Sequence, residues 1–322
     1  MPQLTFLDLD VRLPNMDGDG FPIPFKSLQT FKMRGPVVQF ANIVNCFQIL
    51  VSTILEFIVR VEHGQPNLWK FTEDIAKALN HSWLSDPLAH PPSSPAAPTA
   101  MAQSIHAVEL IDTGHQKIVY AWFESSPTWS LHLRQPCLTL AFEGSDPFEG
   151  YYWSGMTPVT VEHPFIPIIT HLPLEKVNTL EIRQTYHVRQ KEVYLALSGM
   201  PALRHLLIHE YAGLASFLSV LGQDINLYID PSSRATASVT RFSNLNSLAI
   251  SSVNYNERRF NIEDTFYHIF RLRRGLNKGL MHLKLLECKN LPKSTVRKWE
   301  EVVPSIYWDM DGLEGAQSKE NM

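Results

Sequence analysis

Cysteine is scarce in this chain: three residues in 322, at positions 46, 137 and 288, odd in number and far apart. That excludes a disulfide framework and suits a reducing compartment, with buried thiols as the plain reading. A strong excess of charge is lacking too. The formal net charge is −4, so nothing draws the chain generally to nucleic acid or anionic membranes. Long apolar runs are absent. The longest candidate, residues 40–61, contains Asn42, Asn45, Gln48, Glu56 and Arg60, each costly at a bilayer centre. It reads as a buried helix followed by a strand. The opening MPQLTFLDLD has neither the basic nor the apolar region of a secretory signal. A cytoplasmic or nuclear location is therefore expected, with the Asn80-His81-Ser82 sequon unmodified.

Reaction signatures are missing as well. There is no nucleotide-binding glycine loop, no G-x-S-x-G elbow and no Cys-x-x-Cys pair. His209-Glu210 begins like a zinc-protease motif, but Gly213 stands where a second imidazole is required on the same helical face. Asp17-Gly18-Asp19-Gly20 offers two carboxylates on a turn without the later Glu of a calcium loop. No enzymatic activity, metal or cofactor is expected.

What the chain does contain is a spacing. Leu174, Val177, Leu180 and Ile182 are answered 26 positions later by Met200, Leu203, Leu206 and Ile208. The same four-site pattern occurs at Met1-Leu4-Leu7-Leu9, Phe25-Leu28-Phe31-Met33, Val51-Ile54-Phe57-Val59 and Phe242-Leu245-Leu248-Ile250. Its last three sites recur at Ile105-Val108-Leu110 and Leu280-Leu283-Leu285. Alternate apolar residues mark a strand with one inward face. Residues 190–198, with Val193 and Leu197 four apart, predict a short helix between two copies. One strand and one helix per roughly 20–29 residues is a leucine-rich-repeat period. The expected fold is an α/β, irregular leucine-rich-repeat solenoid with a curved, mostly parallel sheet and short outer helices, over residues 1–310.

Interruptions are read from composition. Residues 85–104 carry five prolines and no periodicity and form a Pro-rich loop. Residues 112–168 hold the β-rich, aromatic stretches IVYAWF, WSLHL and CLTLAF and read as an irregular insertion replacing one or two repeats. Thr72 is the expected N-cap of a helix over 71–81. AGLASFLSVLG is a helix ending near Gly222, DINLYID an extra strand, and 231–240 a loop. IEDTFYHIFRLRR is a helix, MHLKLLEC the last repeat strand and STVRKWEEV a closing helix. Residues 311–322 are an acidic, disordered tail.

The phrases LPLEKVNTLEI, MPALRHLLI and FSNLNSLAI, then GLMHLKLLECKNL and VVPSIYWDMDG, resemble the C-terminal repeat region of F-box-type proteins of mushroom-forming fungi. The resemblance covers most of residues 1–310 and is strongest from 165 to 310. It implies a repeat surface that presents substrates to a cullin-based ubiquitin ligase. In that family an N-terminal F-box module docks on the ligase adaptor. Here Met1-Pro2-Gln3-Leu4 already lies inside a repeat, so adaptor binding is not carried over and a fragment of a longer product is one expectation.

Binding residues follow from strand alternation. The side chains between the inward sites form the expected concave face, with Arg34, Glu181, Arg183, His205, His209, His282 and Lys284 as its chemistry-bearing members. An unknown protein partner or ubiquitination substrate is the expected ligand. The alternative is charge. Residues 258–298 hold eleven Lys and Arg against Glu263, Asp264 and Glu287, 11 − 3 = +8, which leaves −12 elsewhere. That asymmetry suits nucleic acid or an acidic partner.

Overall fold

The computed structural model describes residues 4–10, 22–62, 67–84, 104–113, 116–124, 134–144, 163–184, 190–226, 241–256 and 261–309. The Pro-rich loop (but for Ser104), the Asp17–Gly20 turn, the 231–240 loop and the acidic tail lie outside them. The protein is mixed α/β with mostly parallel strand pairing, and it divides into two compact units, residues 1–176 and 177–322.

The first unit contains β1 (Phe6–Asp10), β2 (Ile23–Phe25), β3 (Thr30–Pro36), α1 (Val37–Asn45), β4 (Phe47–Ile49), β5 (Ile54–Arg60) and α2 (Leu68–Leu79). After these come β6 (Ala107–Asp112), β7 (Gln116–Trp122), β8 (Leu138–Glu143) and α3 (Phe165–His171). Its main sheet runs β1-β3-β5-β8-β7-β6. The first four strands are parallel, and β7 is antiparallel to both neighbours. Strands β2 and β4 form a separate parallel pair. Phe31, Met33, Leu55, Phe57 and Val59 are buried on one face, where Phe40 of α1 meets Phe57 edge-on at 5.2 Å. The helix packs there because Val37, Phe40, Ile43 and Val44 form one apolar stripe.

One predicted register shifts. Phe31 is paired with Leu55 and Met33 with Phe57, whereas the spacing aligned Phe31 with Phe57. A slip of two residues keeps every side chain on its own face, so the apolar pattern does not distinguish the two registers. In the register that forms, Thr53 is buried with its hydroxyl donating to Leu28 O at 2.7 Å. The helix expected at 71–81 also begins earlier. Thr72 lies inside α2, its hydroxyl donating to Leu68 O at 2.9 Å, and Asn67 precedes the helix at φ 60°. The helix passes directly into a π-helical turn over Asn80–Leu84. Within 112–168, IVYAWF and CLTLAF belong to the sheet itself. β8 lies beside β5, and Leu138, Leu140 and Phe142 continue the buried face of Leu55, Phe57 and Val59. WSLHL lies outside the described residues.

The second unit contains β9 (Thr179–Gln184), α4 (Gln190–Leu197), β10 (His205–His209), α5 (Tyr211–Asn226), β11 (Ser247–Ser251), α6 (Ile262–Gly275), β12 (His282–Leu286), α7 (Lys293–Glu300) and β13 (Ser305–Trp308). Its five described strands follow sequence order and are parallel at every pairing. Here the expected register is the observed one. Leu180, Leu206, Leu248 and Leu283 are partners, as are Ile182, Ile208, Ile250 and Leu285. All eight are at most 1% exposed. At Gly213 an added Cβ would lie 3.0 Å from Ile208 Cγ2 and 3.2 Å from Tyr194 Oη, so glycine lets α5 approach this face.

Two expectations change. Asp224, Ile225 and Asn226, the start of the extra strand, are the last residues of α5. The continuous apolar run of the helix overrides the short β-like tail. The helix after β12 does not close the chain either, because β13 follows and pairs with β12. Ile306 and Trp308 are half-buried while Ser305 and Tyr307 are exposed, the alternation of an edge strand.

One backbone hydrogen-bond pattern recurs before β3, β10, β11 and β12. Before β10, Arg204 N and His205 N both donate to Asn178 O. Before β11, Asn246 N and Ser247 N donate to Arg204 O; before β12, Met281 N and His282 N donate to Asn246 O. Gln29 N and Thr30 N donate to Thr5 O in the first unit in the same way. The residue after β10, β11 and β12 is left-handed each time: Glu210 at φ 69°, Ser252 at 58° and Glu287 at 52°.

Candidate functional site

The face opposite the helices in the second unit carries six of the seven expected binding residues. Strand alternation places Thr179, Glu181 and Arg183 on β9 there, then His205, Leu207 and His209 on β10. Next come Ser247, Ala249 and Ser251 on β11, and His282, Lys284 and Leu286 on β12. The β11 side chains are small and buried at 5%, 0% and 7% exposure, between two columns of larger ones. Lys284 is the partner of Tyr307 on β13, which is 57% exposed. Arg34 stands apart on β3 of the first unit, where it is exposed. Its neighbours there are an ion pair of Lys32 with Glu56 and a 3.2 Å pair of Arg60 with Asp10.

Glu181 is the hub of the second-unit face. Its Oε1 accepts from Arg183 Nε at 2.8 Å and from His209 Nε2 at 2.9 Å. A carboxylate only accepts, so His209 carries its proton on Nε2. The Glu181 side chain is 2% exposed, against 36% for Arg183 and 18% for His209. A carboxylate that dry depends on hydrogen-bond donors such as these two. His205 and His282 flank Ser247 on either side in register. Burial, then the charges of Arg204 and His282, hold the His205 imidazole below its usual pKa, so it is neutral at pH 7.

A second polar cluster, in the first unit, has no expectation behind it. Asp112 and Lys117 are register partners across the β6–β7 hairpin, with Asp112 Oδ1 accepting from Lys117 Nζ at 2.6 Å. His163, just before α3, donates from Nε2 to Asp112 Oδ2 at 3.0 Å, and its Nδ1 accepts from Phe165 N at 3.3 Å. All three are at most 8% exposed. Burial pushes the Asp112 carboxyl up, but His163 and Lys117 outweigh it and hold it at about 2. Burial pushes the Lys117 ammonium down against the pull of Asp112. With both ring nitrogens of His163 engaged, the cluster clamps the start of α3 to the sheet. The Asp-Thr-Gly signal at 112–114 marks the hairpin in sequence, whereas His163 is 51 residues from Asp112 and has no local mark.

The basic C-terminal segment is not uniformly exposed. Arg273 is 3% exposed and donates to Lys278 O, Arg241 O and Phe242 O at 3.2, 3.0 and 2.7 Å. Arg274 reaches Glu301 O, and Lys298 pairs with Asp264 while lying 4.8 Å from the Tyr267 ring centroid. Arg273 is thus a structural tie rather than surface charge.

The three cysteines are free. Burial pushes the Cys137 and Cys288 thiols up to about 12, so neither is a ready thiolate. Among the described residues no group of His, Cys, Asp and Glu is arranged to hold a metal ion, and no helix is long and apolar enough to cross a membrane. His209 lies on β10 and Gly213 on α5, so the two ends of the zinc-motif fragment belong to different elements. No family model matches the chain, and neither a curated protein nor a solved structure matches it.

Proposed function

We propose that the chain is an irregular leucine-rich-repeat solenoid that serves as a non-enzymatic protein-interaction scaffold, comparable to the substrate-recognition region of an F-box protein. The observation that carries this reading is the recurrence of one backbone pattern at successive parallel strands: paired N–H groups donating to a single carbonyl before the strand, and a left-handed residue after it. Such stacking is how solenoid units bury their apolar sides against each other. The polar face around Glu181, His205, His282 and Lys284 is the proposed contact surface, for a protein partner or ubiquitination substrate in the cytoplasm or nucleus. Mixed charge, imidazole and an exposed tyrosine suit protein recognition.

The test is site-specific photo-crosslinking in cells. A crosslinker at His282 or Tyr307 should capture a defined protein that one at Arg297 on α7 does not, and Lys284→Glu should abolish the capture. Equal capture from both faces would sink the proposal. Turnover of any substrate abolished by one point substitution would overturn the non-enzymatic part. An in-frame F-box module encoded upstream of Met1 would tie the chain to a ligase.

A second reading, binding of nucleic acid or an acidic partner through residues 258–298, is favoured by exposed Arg271, Arg274 and Arg297. It predicts salt-sensitive binding that weakens in Arg271→Gln and Arg297→Gln.

A further inference from the structure

We propose that a cleft at the turns leading into β11, β12 and β13 binds an oxyanion, a carboxylate or phosphate group, between Arg274 and Lys278. The cleft has a volume of about 440 Å³ and is lined from three successive turns, around Asn246, Asn277 and Pro304. That size accommodates a small ligand or one side chain of a peptide. Among the described residues its lining includes an arginine and a lysine and no carboxylate residue. Anions are therefore the matched charge.

The site is built by rigid parts. Leu245, Leu280 and Val302 in the lining are at most 3% exposed and fix it to the core. Arg273, tied to three carbonyls, anchors the end of α6 and the turn after it. Gly279 lets that turn close on the helix: an added Cβ there would lie 3.2 Å from both Cα and Cβ of Arg274. At the end of α6, Arg273 O accepts from Leu276 N and Lys278 N, and Arg274 O accepts from Asn277 N. Arg274 is oriented by one bond to Glu301 O, which leaves further guanidinium donors. The side chains of Lys278, Asn246 and Asn277 make no hydrogen bond or ion pair among the described residues. Two amides and two cations are thus available around one concavity. The inference is independent of the scaffold reading, whose surface lies on the sheet face.

The test is NMR titration of the full chain with inorganic phosphate and, separately, with glutarate, following the side-chain signals of Arg274, Asn246 and Asn277. Saturable shifts confined to these residues are expected, and the anion that saturates at the lower concentration identifies the source. Loss of one charge-assisted donor should weaken binding by about tenfold in Lys278→Gln and in Arg274→Gln. Arg297→Gln, outside the cleft, should bind as the unaltered chain does. If Arg274→Gln fails to fold, Lys278→Gln decides, since that side chain supports no described contact. No saturation with either anion, shifts spread over the surface, or unchanged affinity in Lys278→Gln would overturn the proposal.

Discussion

The backbone N–H of Glu287 donates to the carboxylate of Asp309, at 2.9 Å to Oδ2 and 3.2 Å to Oδ1. One strand earlier Ser252 N donates to Leu286 O, and before that Glu210 N donates to Ser251 O. At the last described strand a side chain thus serves where main-chain carbonyls served before. Asp309→Ala should loosen β13 and lower stability by about 1 kcal/mol, read as a shifted urea midpoint with an unchanged m-value. Amide exchange should quicken at Glu287 and along Ser305–Trp308 and not at β10. Uniform quickening would show that Asp309 does something else.

Leu180, Leu206 and Leu248 form one register ladder with no exposed surface. Each Leu→Ala should cost about 2–5 kcal/mol, measured by equilibrium unfolding. Double substitutions of adjacent rungs should be non-additive, because the two cavities share walls. Losses under about 1 kcal/mol at all three would mean that the ladder collapses freely or carries little.

Arg273 and Arg271 are two residues apart on α6 and should behave as opposites. Arg273→Gln removes charged donors from buried carbonyls and should cost at least about 3 kcal/mol. Arg271, exposed and 6.0 Å from the Tyr267 ring centroid, should change stability by no more than about 0.5 kcal/mol when made Gln. Thermal melts of the two variants separate these outcomes. Polyanion binding lost in Arg273→Gln therefore reports unfolding, and only Arg271 or Arg297 variants test surface charge.

Acid stability should depend on Asp112. Its folded pKa of about 2 lies below the ordinary aspartate value of 3.8, so its stabilisation is present above the unfolded pKa and lost as pH falls from there toward 2. Asp112→Asn should be less stable than the unaltered chain at neutral pH, and the two stability curves should converge over that acid window. Parallel curves from pH 6 to pH 2 would show that the Asp112–Lys117–His163 cluster contributes no pH dependence.

Periodicity determined β9, β10, β11 and β12 of the second unit, and it did not mark β13. Leu180, Leu206, Leu248 and Leu283 are found in the register that their spacing implies, because each strand sits at one fixed place in a local strand–helix unit. The sites expected on the opposite face also followed from alternation, which is a property of the strand backbone. Tertiary structure decided the rest. The Phe31–Leu55 register is invisible to a pattern of period two, and the buried Thr53 hydroxyl on Leu28 O accompanies the register that forms. His163 joins Asp112 across 51 residues, and Arg273 finds carbonyls 31 and 32 residues away, so neither contact leaves a local trace. Exposure was decided in the same way. Glu181 and Arg273 are charged in the sequence, and only the packing around them makes one a buried hub and the other a tie, because a charge leaves water only where folded neighbours supply its hydrogen bonds.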